Sequence, residues 1–567
     1  MSLYTDASLI MYPSGYKEDK IYSLKPTDGS GDLTFTRAST ATRVNSDGLI
    51  ETSPVNLFEY SQSFTNGVWV GVSASYSGDT LTASSGTSFK GLYQNQTTQG
   101  QQTVFFDVLY SSHQWVQIGL GTGASDLGFA NFDVQNKVLG NTSGGFVNSI
   151  QDFGTYIRIT SSFSSVDKTS VFLCMVDSGT ASRADGTSST GAVKLFKSQL
   201  NIGSTAKPYF PTTDRLNVPR IDYTSGCGKL LLEPQRTNIA LRSNELSTAP
   251  NVIDGTTATV NFYTSPDGTT NAIKLAETTA NDRHGFYQYY TVTAQTYTVS
   301  VFTKQIGRRY ISLMSDFTGT NTFSYFDLQN KVVVSNGSGY TCSIEEFSDG
   351  WLRLSATVNA ISGSRYTIWG GSTNGTTNTY VGNTSTFMTF YGLQVEAGSY
   401  PTSYIPTSGT AVTRVADAIN QQIVGLTTIT AGTFFLDFYR GVSVATARDS
   451  STDGFFYRSS SSFPSGSAIE ISTDAIGIAR VGIRNSGLFF IAANQNNTLN
   501  HIKIAVKWDG VNLKVFANGV LQYNNPFVFA NAFQYLGYNP DFKKEVQSVM
   551  IFPAALSDAE LLALTTI

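Results

Sequence analysis

One seven-residue segment occurs twice in this chain. Phe132-Asp133-Val134-Gln135-Asn136-Lys137-Val138 returns 194 residues later as Phe326-Asp327-Leu328-Gln329-Asn330-Lys331-Val332. Ser149-Ile150-Gln151-Asp152-Phe153 returns at the same spacing as Ser343-Ile344-Glu345-Glu346-Phe347. Tyr156-Ile157-Arg158-Ile159 then matches Trp351-Leu352-Arg353-Leu354, one residue further on. The extra residue falls in Ser348-Asp349-Gly350, a turn-forming triplet where an insertion costs little. Val104 and Phe106 match Val299 and Val301, and Trp115, Val116 and Ile118 match Tyr310, Ile311 and Leu313. Gln199, Gly203 and Pro211 match Gln394, Gly398 and Pro406, and Asn56-Leu57 opens one copy as Asn238-Ile239 opens the other. A module of roughly 160–170 residues is therefore present twice, a usual size for a domain.

The module reads as β structure. In Thr296-Tyr297-Thr298-Val299-Ser300-Val301 the larger side chains recur at every second residue, which gives a strand one inward and one outward face. Thr103 to Val108 repeats the pattern. Asn336-Gly337, Asp349-Gly350 and similar pairs punctuate these runs. Long helical periodicity is absent, and many short strands with frequent turns predict a sandwich or jelly roll. With 567 residues, several cores are expected. Only 14% of the residues are charged, so Ser, Thr, Asn and Gly must supply most of the polar surface. Those residues favour turns and strands over helices.

The C-terminal part follows another pattern. Phe434, Leu436 and Phe438 alternate with Phe435, Asp437 and Tyr439. Ile502, Ile504, Val506 and Trp508 alternate with Lys503, Ala505 and Lys507. Asp509-Gly510 predicts a hairpin into Leu513, Val515 and Ala517, and Asn518-Gly519 the next turn. Ser557-Asp558-Ala559-Glu560 has the form of a capping box opening a short helix through Leu561, Leu562 and Leu564.

Several chemistries find no support in the sequence. The net charge of -4 does not suit a nucleic-acid partner, and Lys304 with Arg308-Arg309 is the densest basic group. Cys174, Cys227 and Cys342 are too scattered for a disulfide framework or a zinc site. The start, Met-Ser-Leu-Tyr-Thr-Asp, lacks the pattern of a signal peptide, and no stretch suits a bilayer-spanning helix, so synthesis in the cytoplasm without membrane insertion is expected. His113, His284 and His501 fall in no metal or nucleophile motif and read as structural. Gly119, Gly121 and Gly123 form a glycine-rich patch, but Ala124 stands where a dinucleotide loop has its third glycine, and the patch reads as a turn. Glu345-Glu346 reads as a solvated strand end rather than a hydrolytic pair. Asp28 and Asp32 flank a turn without calcium-loop spacing. No catalytic residue, metal site or cofactor is predicted.

Aromatic residues are the better ligand candidates, because a sugar ring stacks its apolar face on Trp or Tyr at small entropic cost. Trp115, Trp369 and Trp508 are the candidate platforms. Trp508 keeps step with Ile504 and Val506, which points to the core, whereas Trp369 beside Gly370-Gly371 looks loop-like.

Some segments resemble recurring phage structural proteins. Phe35-Thr36-Arg37-Ala38-Ser39-Thr40-Ala41-Thr42-Arg43-Val44-Asn45, followed by Gly48-Leu49-Ile50-Glu51, resembles a motif of phage tail and fibre proteins. Leu230-Leu231-Leu232-Glu233-Pro234-Gln235-Arg236-Thr237-Asn238 belongs with it. Gly392-Leu393-Gln394-Val395-Glu396-Ala397-Gly398, with Tyr404-Ile405-Pro406-Thr407 and Thr413-Arg414, resembles the closing segment of their jelly rolls, which are similar to carbohydrate-binding modules. In the first copy Asn201-Ile202-Gly203 replaces Glu396-Ala397-Gly398, which suggests a different surface role. Lys507-Trp508-Asp509-Gly510, Asn518-Gly519 and Ala555-Leu556-Ser557-Asp558-Ala559-Glu560-Leu561 resemble a concanavalin-like or laminin-G-like sandwich.

The resemblance implies a head or tail fibre in the virion, assembled with other virion proteins as a homotrimer and able to meet host-surface glycans. The expected organisation is an N-terminal virion-anchoring or oligomerisation segment at 1–55, a first jelly roll at 56–213 and a linker at 214–237. A second jelly roll follows at 238–407 and a concanavalin- or laminin-G-like sandwich at 408–567. A purely structural virion component is the alternative, and a glycan depolymerase ranks below both.

Overall fold

Alternation along the chain becomes pairing across it. Strands take up 54% of the residues and helices 3%, which makes the fold all-β, built of tandem sandwiches. The computed structural model describes residues 3–567 apart from 14, 87–88, 122–127, 424, 441–453, 461–465, 474–478, 486–487, 496–500 and 540–543. The chain divides into two compact units, Ser53–Arg215 on the one hand and Met1–Thr52 with Leu216–Ile567 on the other.

In the unit Ser53–Arg215, two long strands, Lys90–Tyr110 and Ile157–Met175, pair along their length and run through both layers of a sandwich. Their register slips between Asn95 and Gly100, where the chain passes from one layer to the other. The far half of Ile157–Met175 pairs with Trp115–Gly121, which pairs with Phe129–Asp133. The near half pairs with Val147–Asp152. Inward residues from both layers meet in one core, including Leu92, Val104, Phe106, Ile118, Phe132, Ile159 and Leu173.

The second copy has the same strand order but breaks the two long strands. Gly285–Val292 and Thr296–Lys304 stand in place of the first, and Trp351–Asn359 and Gly363–Ser372 in place of the second. The result is two separate six-stranded sheets. Val299, Val301, Ile311, Leu313, Phe326, Leu354 and Trp369 fill the core between them.

Buried polar contacts repeat as closely as the apolar ones. The Asn56 side-chain amide donates to the carbonyls of Ser198 and Phe210, and its oxygen accepts from the N–H groups of Phe58 and Leu200. Asn238 makes the same four bonds to Leu393, Ile405, Ala240 and Val395. Removing either amide would strand buried backbone groups. Asp133 and Asp327 each cap their turn by accepting from the N–H groups two and three residues on.

The C-terminal sandwich draws strands from three parts of the chain. Leu9–Met11 pairs with Lys544–Phe552, which also pairs with Lys229–Leu232 and Gly432–Arg440. In the opposite sheet, Leu33–Thr36 pairs with Ala418–Gln422. The segments 1–55 and 214–237, separated from this body by the sequence reading, thus contribute strands to it. Strands of three or four residues cannot stand alone, so they are completed by distant partners. The predicted hairpin is present, with Val506 opposite Val515 and Trp508 opposite Leu513. Asn518 and Gly519 both take positive φ in the next turn. The capping box holds, with the Ser557 hydroxyl accepting from the Glu560 N–H.

Residues of the recurring motifs converge inside this unit. Arg37 meets Asp417 at 2.8 Å, Arg220 meets Glu233 at 2.9 Å and also contacts Asp417, and Arg414 meets Glu233 at 2.8 Å. All five side chains are fully buried. Burial pulls the Arg37 guanidinium down to about 10 despite Asp417. Ions taken out of water are tolerated only when paired with opposite charge, as each of these five is. The network thereby fixes how the N-terminal, central and C-terminal segments come together.

Candidate functional site

The site begins with a strand that is aromatic on both faces. In Gly285–Val292, Phe286, Tyr290 and Val292 point into the second sandwich. Tyr287 and Tyr289, one step out of phase, face outward. Pairing with Gly363–Ser372 sets Tyr289 opposite Tyr366 and Tyr287 opposite Ile368. Ile368 lies opposite Met314, and Met314 opposite Phe323. On the outer side of this sheet the tyrosine rings therefore adjoin Ile368 and Met314, which are buried.

Tyr289 is its most open member, 60% exposed. Its ring lies 5.4 Å from that of Tyr366 and 5.9 Å from that of Tyr287, which stands edge-on to it. Tyr366 is held from both ends. Its hydroxyl donates to the Asn321 side chain at 2.6 Å, and its N–H donates to the Asp316 carboxylate at 2.7 Å. Burial, and then the Asp316 charge, push the Tyr366 phenol above its ordinary value, so it stays protonated as a donor. At the border of the face, the Arg283 Nε lies 3.2 Å from Asp254, while Nη1 reaches the Met314 sulfur. A partly wetted cluster of rings with hydrogen-bonding rims can offer one ring, Tyr289, to the apolar face of a sugar and bond its hydroxyls.

In the first copy the place of Tyr289 is taken by the exposed Asn95, and the neighbouring part of the face is covered. Phe172, Cys174, Val176 and Ala181 form a small cluster there, joined by Phe89, Tyr93 and Trp115. The segment 176–184 lies across it, held by two buried amides. The Asn131 side chain donates to the carbonyls of Gly179 and Ala181, and its oxygen accepts from Gln117. Gln117 also donates to the Ser182 carbonyl and accepts from the Ala184 N–H. Arg183 then lies 5.3 Å from the Phe172 ring centre.

Of the three tryptophans chosen from the sequence, Trp369 and Trp508 are buried core residues. Trp508 packs on Phe529 and Phe533, in agreement with its strand register. Trp369 packs on Phe326 in the middle of a strand, not in a loop. The two glycines after it permit a close approach of strands: a Cβ at Gly370 would stand 2.4 Å from the His284 carbonyl oxygen. Neither tryptophan presents a face to solvent. Trp115 is half-buried beneath Gly179 of the covering segment. Sequence reasoning missed Tyr287, Tyr289 and Tyr366, because alternation was sought between apolar and polar residues, whereas here both faces of the strand carry rings.

The remaining candidates have structural partners. His113 and His284 each place both ring nitrogens on backbone carbonyls, and His501 bonds Asp437 at 2.8 Å. Glu346 pairs with Lys331, and Glu345 is half-buried. Asp28 accepts from Ser30, and Asp32 from Ser23. Lys304, Arg308 and Arg309 pair with Asp349, Glu277 and Asp327. Gly119 and Gly121 lie in a strand, and Gly123 and Ala124 fall outside the described residues. Cys174, Cys227 and Cys342 are free. No metal-holding cluster is found among the described residues, and no described helix is long and apolar enough to cross a membrane.

No family model and no curated protein matches the chain. Solved structures do. The CBM40 of the Ruminococcus gnavus IT-sialidase is 17% identical, over 24% of this chain and 84% of that one, with a TM-score of 0.20. Domain 4 of AbnA, a GH43 extracellular arabinanase of Geobacillus stearothermophilus in complex with arabinotriose, is 17% identical over 30% and 84%, with a TM-score of 0.22. The CBM22-1–CBM22-2 tandem domain of Paenibacillus barcinonensis Xyn10C is 10% identical over 60% and 98%, with a TM-score of 0.18.

Proposed function

We propose that this protein is a phage virion component, a head or tail fibre, whose second sandwich attaches the particle to host or environmental glycans. The observation that carries the attachment is the open face of Tyr287, Tyr289 and Tyr366, with Tyr289 60% exposed. Aromatic rings grouped around an exposed tyrosine mark a place of recognition. The role is binding without turnover. The virion location rests on the motif around Arg37-Ala38-Ser39-Thr40, whose arginine lies in the buried ion network. One aromatic platform binds weakly, and a homotrimer displaying three multiplies the contact through avidity.

A glycan array probed with the full-length protein tests the attachment. Binding is expected, with loss on Tyr289→Ala and unchanged thermal unfolding. A full-length protein that binds no glycan leaves only the packing role beside other virion proteins. Imaging particles with an antibody against the C-terminal sandwich tests the location. Sedimentation as a monomer at micromolar concentration would contradict the trimer.

A further inference from the structure

We infer that the tyrosine face selects neutral sugars and turns away acidic ones, an inference that rests on glycan attachment at that face. Four arginines lie on or beside this sheet, and each is already committed to a carboxylate. Arg283 pairs with Asp254 at 3.2 Å and Arg365 with Asp316 at 3.6 Å. Arg309 pairs with Asp327 at 2.6 Å, and Arg308 with Glu277 at 2.5 Å. Recognition of a uronate or sialate carboxylate draws on a guanidinium free to offer its fork of donors. Arg308 and Arg309 give theirs to Glu277 and Asp327, while Arg283 gives Nε to Asp254 and Arg365 stands in an ion pair with Asp316.

The two acids nearest the rings act in the same direction. Asp316 binds the Tyr366 N–H directly, and Asp254 sits beside Arg283, whose Nη1 reaches Met314 in the row of Tyr287. An incoming carboxylate meets two acids already holding Arg283 and Arg365, and the negative faces of three aromatic rings. To gain an arginine it must first displace a protein carboxylate. A neutral sugar meets none of these costs: its C–H face stacks on Tyr289, and its hydroxyls reach the rim. Specificity here comes as much from what is repelled as from what is held.

The test uses the full-length protein and two oligosaccharide sets matched in length, one neutral and one ending in glucuronate or sialate, titrated by calorimetry. The neutral set is expected to bind at least about tenfold more tightly, the scale of one charged contact. Tyr289→Ala should abolish that binding and Tyr289→Phe should keep it. Asp254→Asn frees Arg283 and should raise affinity for the acidic set about tenfold, with a gain that fades as salt increases. If the acidic set binds as tightly as the neutral set and Tyr289→Ala abolishes both, the selectivity is wrong and the attachment stands. If Asp254→Asn leaves acidic binding unchanged, the pairing of Arg283 is not what excludes acids and the inference fails. If neither set binds and no other glycan does, the attachment itself falls.

Discussion

The two copies of the repeated module share a core and differ in the residues on the outer face of one sheet. In the first, Gln117 and Asn131 stand opposite each other on the outer face and hold the segment 176–184 across it. In the second, Ser312 and Tyr325 occupy the same pairing. Ser312 folds back onto the carbonyls of Gly370 and Gly371 and is buried, while Tyr289, further along the same sheet, stays exposed. Phe172 and Cys174 are buried, as are Ile368 and Gly370 at the matching register; the second copy differs in its ring set Tyr287, Tyr289 and Tyr366, where the first has Tyr93, Asn95 and Ser170. Interior residues at matching register make the same sandwich twice, while the outward positions of the strands Gly285–Val292 and Gly363–Ser372 carry the rings that only the second copy presents. A repeat can thus keep its scaffold and change its role without touching the core.

The core half of this comparison should break hardest. Trp369→Ala removes a fully buried ring from the second copy and should cost about 4 kcal/mol in chemical unfolding. Trp115→Ala, at a half-buried site in the first copy, should cost clearly less. Equal losses would mean that Trp369 is not the core residue described.

Glu277→Gln comes next. This carboxylate accepts from Arg308, the Asn383 N–H and the Tyr380 hydroxyl. Burial favours its protonated form, but these donors outweigh burial and hold it below the ordinary value. The stability it contributes is present above the unfolded value of about 4.3 and disappears as pH falls through the lower folded value. At the position of Arg308, the first copy has His113, bonded to carbonyls. Glu277→Gln should cost about 3 kcal/mol near neutrality and flatten the acid limb of stability measured between pH 6 and pH 2.

The cover over the first copy can be opened selectively. Asn131→Ala should cost about 2 kcal/mol, since it leaves the Ala181 carbonyl without its side-chain donor. Burial pushes the Cys174 thiol up and shields it. In a Cys227→Ser, Cys342→Ser background, Asn131→Ala should therefore speed labelling of Cys174 by a thiol reagent. Unchanged labelling would show that the two amides do not hold the segment. The smallest effect belongs to Tyr289→Ala, less than about 0.5 kcal/mol on stability, measured by the same unfolding that reports Trp369→Ala.

The scaffold was legible because period-two alternation and a fixed spacing are local signals. The hairpin at Asp509-Gly510, the cap at Ser557 and the core position of Trp508 all followed from them. Pairing of Leu9–Met11 with Lys544–Phe552 left no such trace, since its partners lie at opposite ends of the chain. Trp369 was misplaced because Gly370-Gly371 signals either a turn or a close approach of strands, and only the position of the His284 backbone separates the two. The tyrosine face was hidden for a related reason. In Phe286-Tyr287-Gln288-Tyr289-Tyr290, aromatic residues fall on both faces, and only the opposing strand tells which ring meets solvent.

Hydrogen exchange of the full-length protein, with and without a saturating neutral oligosaccharide, tests the contrast between the copies most directly. Protection should appear in 285–292 and 363–372 and be absent from 90–95 and 170–176. Protection confined to the first copy, or spread equally over both, would contradict the account.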